Sequence, residues 1–221
     1  TLVHSHKSLL ANASHELRSP LARIRMGLEL MGHPGSSTNT PTDFKAEILR
    51  NLAELDQLID EILLASRLDA QEADLGTVES IDLSGLAAEE CARVDALLDT
   101  GDNTDAVEVR GIPKLLRRAI RNLLENARRY SAGEVEIQVR REGGRAVVRV
   151  SDHGPGVPPA QRERIFEPFY RLPGASERDG GVGLGLALVR SIAERHGGTV
   201  HCDARPDGRG GASFVLMLPL T

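Results

Sequence analysis

Residues 10–31 read LANASHELRSPLARIRMGLELM. Within them Leu10, Ser14, Leu17, Leu21, Ile24, Leu28 and Met31 step alternately by four and three, the spacing of a helix that packs one stripe against other helices. The stretch 32–42, rich in Gly, Pro, Ser and Thr, interrupts it. A second helix is expected from residue 43 to 69, where Ile48, Leu52, Leu55, Ile59 and Ile62 repeat the same steps. Two helices with one apolar seam each form an all-α hairpin with a thin core. A homodimer closing into a four-helix bundle is the least costly way to cover it.

With Ser14 and Leu17 on the seam, His15 falls one step past it, on the solvent side. Pro20 lacks the N–H that would bond the carbonyl near Glu16, so the helix is expected to bend or loosen beside the histidine. A surface histidine beside an incidental kink fits these residues too. So does a metal site through His4, His6 and His15, although no carboxylate or cysteine stands at ligand spacing from them.

After a linker at 70–80 the pattern changes. Asp82 and Ser84 are expected to cap a helix through Val94, and Gly111 and Pro113 to open another running to Tyr130. Val135, Ile137 and Val139 alternate as a strand, with further strands at 145–151, 199–203 and 213–218. A Gly-rich segment leads into a helix over 184–196, stopped by Gly197 and Gly198. This second region reads as an α/β (α+β) sandwich, and the expected domains are 1–72 and 73–221.

With 221 residues, 40% of them hydrophobic, the chain can bury a core in each domain. A net charge of -5 supplies no global basic field, which argues against nucleic acid as a partner. Cys91 and Cys202 are far apart and form no metal or redox spacing. No apolar run approaches the roughly 20 residues needed to cross a bilayer.

Further clusters carry chemistry. Asn122 and Asn126 are an i,i+4 pair in NLLENARRY, residues 122–130, so both amides project from one helix face. Neutral amide oxygens suit Mg²⁺ already bridged to triphosphate, although a polar surface stripe has the same spacing. Asp152, Gly154 and Gly156 follow a strand, as an ordinary turn also does. FEPFY occupies 166–170, and GGVGLGL occupies 180–186. The last is not a Walker loop, because no Lys and Ser or Thr follow, and Leu186 stands where a dinucleotide fingerprint needs its third glycine. Gly211, Ala212, Ser213 and Phe214 precede the last strand.

Together these segments resemble the ordered boxes of sensor histidine kinases. His15 to Pro20 resemble the H-box of the HisKA phosphoacceptor domain. The segments at 122–130, 152–156, 166–170, 180–186 and 211–214 resemble the N, G1, F, G2 and terminal G boxes of the HATPase_c (GHKL) domain. The resemblance covers nearly the whole chain and implies two-component signalling by an ATP-dependent protein-histidine kinase. His15 is then the phosphoacceptor, Glu16 the general base that takes the proton of the other ring nitrogen, and Ser19, where the family carries Thr or Asn, the hydroxyl of a phosphatase reaction. Asn122 and Asn126 would hold Mg²⁺. Asn126, Arg129, Tyr130, Asp152, Gly154, Gly156, Gly181, Gly183, Leu184 and Gly185 would bind ATP, with Asp152 accepting the adenine amine and the glycine run bordering a lid at 172–180.

The implied partners are a second copy, through the hairpin, and the receiver domain of a response regulator. The implied place is the cytoplasmic side of a bacterial inner membrane, with membrane contact only through segments absent from this chain. Three other classes stay open: an ATP-driven clamp of gyrase or chaperone type, a binding-only scaffold, and a serine kinase of related fold.

Overall fold

The computed structural model describes residues 2–31, 41–99, 106–131, 133–173 and 182–221. Two compact units divide the chain, Thr1–Ser66 and Arg67–Thr221.

The first unit holds helix α1 (Leu2–Met31) and most of helix α2 (Pro41–Asp69). Helix α1 runs continuously through Pro20, which is buried. Within one chain the packed stripe keeps Leu17, Ile24, Ile48, Leu55 and Ile62 of the expected seam and shifts by one residue at the positions between them. In α1 the buried line is Ala13, Pro20 and Gly27, with Leu17 and Ile24 half-buried between them. In α2 it is Phe44, Asn51, Leu58 and Ala65, with Ile48, Leu55 and Ile62 between. Leu21, Leu28, Leu52 and Ile59, expected in the seam, are 53%, 57%, 41% and 38% exposed. The reason is steric. Small residues let the helices approach closely, and a Cβ added at Gly27 would stand 3.0 Å from Ile48 Cγ1, so the branched residues of the adjacent stripe are left facing outward. The side chains of Leu10, Ser14, His15 and Met31 lie outside the described ones.

In the second unit, residues 67–76 are tied down rather than loose. Arg67 pairs with Glu72 at 2.7 Å and donates to the Asp74 carbonyl at 2.7 Å, Arg195 donates to the Glu72 carbonyl at 2.7 Å, and Leu75 is fully buried. Strand β1 (Glu79–Asp82) then pairs antiparallel with β3 (Glu108–Gly111), Ile81 opposite Val109. Neither strand was expected, being only four residues long. Helix α3 (Leu83–Val94) starts at Asp82, whose carboxylate accepts from Ser84 N at 3.0 Å, the expected cap. Helix α4 (Pro113–Tyr130) opens with proline at its first turn, as expected, and buries Leu116, Ile120, Leu123 and Leu124 along one face.

The main sheet has order β2-β4-β5-β7-β6, from β2 (Leu97–Asp99), β4 (Glu136–Glu142), β5 (Arg145–Ser151), β6 (Thr199–Ala204) and β7 (Ala212–Pro219). Edge strand β2 is parallel to β4, and the other pairings are antiparallel. Helices α3, α4 and α5 (Gly185–Arg195) pack on this sheet, with Ile137, Val148, Val150 and Leu216 fully buried beneath them. The result is the two-layer α/β sandwich expected. Short 3-10 turns, Pro159–Gln161 and Arg164–Phe166, lie between β5 and α5. Among the described residues no helix is long and apolar enough to cross a membrane.

Candidate functional site

A cavity of about 620 Å³ opens in the second unit between the C-terminal half of α4, the turn after β5 and the start of α5. Asn126, Tyr130, Asp152, Gly156, Gly183 and Gly185 line it, together with the apolar Ile165, Leu172, Leu186 and Phe214. The structure therefore brings together six of the ten residues expected to bind ATP. Of the other four, Arg129, Gly154 and Leu184 stand off the wall, and Gly181 lies outside the described residues.

Asp152 is 3% exposed and nearly every polar atom it has is committed. Its N–H donates to the Ala212 carbonyl at 3.0 Å, and its Oδ1 accepts from Gly154 N at 2.8 Å and from Ala212 N at 3.1 Å. The second oxygen, Oδ2, is the acceptor left for the cavity. Gly154 stands behind this turn, not on the wall. A Cβ there would lie 2.4 Å from the Tyr130 carbonyl oxygen, so glycine permits the turn to abut the end of α4. The close approach is thus to protein backbone.

Asn122 and Asn126 differ despite their shared helix face. Asn126 lines the cavity. Asn122 is 5% exposed and its Nδ2 donates to the Gly185 carbonyl at 3.0 Å, which locks the first turn of α5 against α4. Leu184, fully buried, precedes α5 as a core residue. The N-cap residue of α5, Leu184, makes no side-chain cap hydrogen bond, so among the described residues the first N–H groups of the helix are open to an anion, beside Gly185 on the cavity wall. Arg129 is exposed and stands off the wall. Gly181 lies outside the described residues, as do 174–180 of the expected lid.

The FEPFY segment does two jobs. Phe166 is buried beneath the Arg190 guanidinium, 4.9 Å from its ring centroid. Phe169 takes a left-handed φ of 63° and donates its N–H to the Gly183 carbonyl at 3.0 Å, which joins the segment to the glycine run. Gly183, φ 77°, sits so close to the Tyr170 carbonyl that a Cβ would be 2.9 Å from it. Tyr170 lines the cavity, hydrogen-bonds Gln161 and lies under Arg164 at 4.4 Å. Tyr170 gave no chemical signal in the sequence beyond the motif itself, and Gln161, outside any motif, gave none.

In the helical unit, His15 is on α1 and its side chain is outside the described ones. Glu16 is half-buried, and Ser19 is exposed. Ser19 Oγ accepts from Arg23 Nη1 at 3.3 Å, while Arg23 also donates through Nε to Asn51 Oδ1 at 2.6 Å and through Nη2 to Glu54 Oε2 at 2.8 Å. One arginine thus ties the turn after His15 to α2.

Among the described residues no cluster of three or more His, Cys, Asp or Glu could hold a metal by itself. Asn126, on the cavity wall, offers a neutral amide oxygen of the kind that suits a cation arriving with phosphate oxygens, whereas Asn122 is not on that wall.

The cavity thus lies in a two-layer sandwich that follows, along the chain, a pair of helices carrying a histidine. Residues 111–221 match the family of histidine kinase-, DNA gyrase B-, and HSP90-like ATPases, and residues 5–71 match the His Kinase A (phospho-acceptor) domain; the chain belongs to the sensor histidine kinases that combine the two. Sensor protein RstB of Escherichia coli (strain K12) is 37% identical over 230 residues, covering 99% of this chain and 50% of RstB. Sensor histidine kinase CpxA of the same organism is 33% identical over 227 residues, covering 99% and 48%. The chain spans about half the length of the curated relatives it matches. The solved structure of histidine kinase ThkA in complex with response regulator protein TrrA aligns with a TM-score of 0.74 over 97% of this chain and 61% of that one, at 23% identity, a likeness of fold.

Proposed function

We propose that this chain is an ATP-dependent protein-histidine kinase of a two-component system, with a phosphotransfer hairpin at 1–72 and a nucleotide-binding domain at 73–221. The observation that carries the reading is the cavity itself. One end presents the free Oδ2 of Asp152, an acceptor for the adenine amine and not for guanine's carbonyl. Another part of the wall is the uncapped start of α5, a donor array for phosphate.

Tyr130 packs near the base, Gly156 and Gly183 shape the backbone around it, and Arg129, exposed off the wall, is a cation that would have to swing in to contact phosphate. Gly154 and Leu184 hold the wall from behind. Asn126 and Asn122 would hold Mg²⁺, which would supply neutralisation of the charge on the triphosphate. A neutral ring nitrogen of His15 attacks the γ-phosphorus, an N–P bond forms, and the bond to the ADP oxygen breaks. Glu16 accepts the proton of the other ring nitrogen. The phosphoryl group then passes to an aspartate of a response regulator, and Ser19, oriented by Arg23, supports the reverse duty of dephosphorylating it.

A second copy covers the exposed stripe of Leu21, Leu28, Leu52 and Ile59. The cytoplasmic side of a bacterial inner membrane is the place this reading implies, with any anchor outside this chain. The test is incubation with labelled Mg·ATP of the chain and of His15→Ala. Acid-labile phosphate on the wild type and none on the variant is expected. Equal labelling of the two sinks the proposal, and hydrolysis without stable label favours an ATP-driven clamp.

A further inference from the structure

Arg205 follows β6 and opens a turn closed by Gly208 N on the Arg205 carbonyl at 3.2 Å. A residue at such a turn would ordinarily face water, yet its side chain is only 4% exposed. It runs inward beneath the turn that carries Asp152. Its Nε and Nη2 fork onto Asp207, at 3.1 Å to Oδ1 and 2.7 Å to Oδ2, and Nη2 also reaches Glu136 Oε1 at 3.3 Å. Nη1 donates to the backbone carbonyl of Asp152 at 3.2 Å. The His153 Nδ1 is 3.3 Å from the same Nη1, but that ring nitrogen lies 2.8 Å from the Glu134 carbonyl and donates to it, so the Asp152 carbonyl is the acceptor Nη1 serves. One guanidinium thereby joins the β6–β7 turn, the first residue of β4 and the turn after β5.

The consequence falls on Asp152. Its N–H and Oδ1 are held by Ala212 and Gly154, and its carbonyl is held by Arg205. Gly211 fills the remaining space beneath, where a Cβ would stand 2.0 Å from the Asp152 carbonyl and 3.0 Å from Arg205 Cδ. With every other polar atom fixed, Oδ2 has one direction. Burying the guanidinium costs desolvation, and its two carboxylate partners remain about one-third exposed and screened by water, so the gain of the cluster is chiefly geometric. The Asp207 carboxyl is pulled down to about 2 by the Arg205 guanidinium, which keeps the fork charged throughout the working range.

We propose that Arg205 is a positioning residue for the nucleotide base: by clamping the Asp152 carbonyl from beneath, it aims Asp152 Oδ2 and so sets the preference for adenine over guanine. It touches no nucleotide. The inference rests on the reading of Asp152 as the base acceptor, and the test separates the two.

Dissociation constants for ATP and GTP are measured by calorimetry with Mg²⁺ on the whole chain, on Asp152→Asn, on Arg205→Met and on Arg205→Lys. Loss of a charge-assisted hydrogen bond is worth about tenfold, so the GTP-to-ATP ratio is expected to fall about tenfold in Arg205→Met. Arg205→Lys, which keeps the charge and loses the fork, is expected to lie between. A merely structural role would lower the folded fraction and reduce the binding capacity for both nucleotides together, leaving the ratio unmoved. An unmoved ratio in Arg205→Met, or in Arg205→Lys should the first variant not fold, overturns the proposal while Asp152→Asn still collapses the ratio. An unmoved ratio in Asp152→Asn retires the base contact, and this inference with it.

Discussion

The side-chain amide of Asn122 donates to the backbone carbonyl of Gly185 at 3.0 Å, across the junction where α4 meets the first turn of α5. The bond is part-buried and fixes the helix terminus that borders the cavity. Asn122→Asp keeps an oxygen for a metal but replaces the donor with an acceptor beside that carbonyl. Setting a carboxylate oxygen against that carbonyl, acceptor facing acceptor at a part-buried position, costs about 1–3 kcal/mol. The melting temperature is therefore expected to fall by roughly 3–10 °C, and ATP affinity by about tenfold, as the α5 terminus loosens. Scanning fluorimetry and calorimetry check both. A variant that melts like the wild type shows that the amide has no anchoring role.

Leu28 and Leu52 stand on the outward stripe of the hairpin, 57% and 41% exposed. Placed at a homodimer seam, each buries its side chain for roughly 1.5–3 kcal/mol. The double variant Leu28→Glu/Leu52→Glu changes four side chains per dimer and adds like charges. Self-association is expected to weaken by at least about a thousandfold, read as monomer mass in sedimentation equilibrium. The hairpin's own packing runs through Ala13, Pro20, Gly27, Phe44 and Leu58, so helical content by circular dichroism should persist. A variant that sediments with the wild-type mass removes this stripe as the dimer surface.

The seam, kept at Leu17 and Ile24 but shifted at the positions between and beyond them, shows where sequence periodicity stops being informative. Counting hydrophobic residues selects Leu21 and Leu28, since leucine outweighs alanine and glycine, yet close helix approach selects Ala13 and Gly27. In contrast, α4 was legible to the residue, because Pro113 marks its start and a broad apolar face follows. Strand β2 was missed for a different reason. Three residues carry no alternation, and Leu97 is placed by its parallel pairing with Glu136, far along the chain. At the site, Asp152 and the glycines were visible as motif members. The split between Asn126 on the wall and Asn122 under Gly185 was not, because equal helical phase says nothing of what packs above each amide. Arg205 left no signal at all, since its role exists only when three separated segments meet.

His196 supplies a pH response. Its Nδ1 donates to the Ile192 carbonyl at 2.7 Å, and its Nε2 accepts from Ile112 N at 3.0 Å, an arrangement open only to the neutral ring. Burial, more than the nearby Arg195, holds its pKa below the ordinary histidine value. A base whose folded pKa is depressed contributes stability fully above its unfolded value, about 6.5, and that stability is lost as pH falls from there through the folded value. The wild type is expected to lose melting temperature between about pH 7 and pH 5. His196→Gln, which can still accept from Ile112 without titrating, should show a flatter profile over that window. Parallel profiles for the two proteins would refute the assignment.

Glu90 responds in a lower window and for the opposite charge. Its side chain is 1% exposed and accepts from Arg121 Nε at 2.7 Å, Arg121 Nη2 at 3.0 Å and Arg117 Nη1 at 3.2 Å, binding α3 to α4. The hydrogen bonds from Arg121, joined by those from Arg117, overcome the cost of burial and hold its carboxyl below the ordinary glutamate value. Both arginines remain about one-third exposed, so water screens part of the attraction and the cluster is worth only about 1–2 kcal/mol. Glu90→Gln is expected to melt roughly 2–8 °C lower at pH 7. A depressed carboxylate contributes above its unfolded pKa, about 4.3, and the contribution fades as pH falls through the lower folded value. The gap between wild type and variant should therefore be constant from pH 7 to pH 5 and close below pH 4. Neither Glu90 nor its arginines line the cavity, so ATP affinity of the folded variant should match the wild type. A gap that persists unchanged into strong acid would mean that shape, and not the ionised carboxylate, holds α3 to α4.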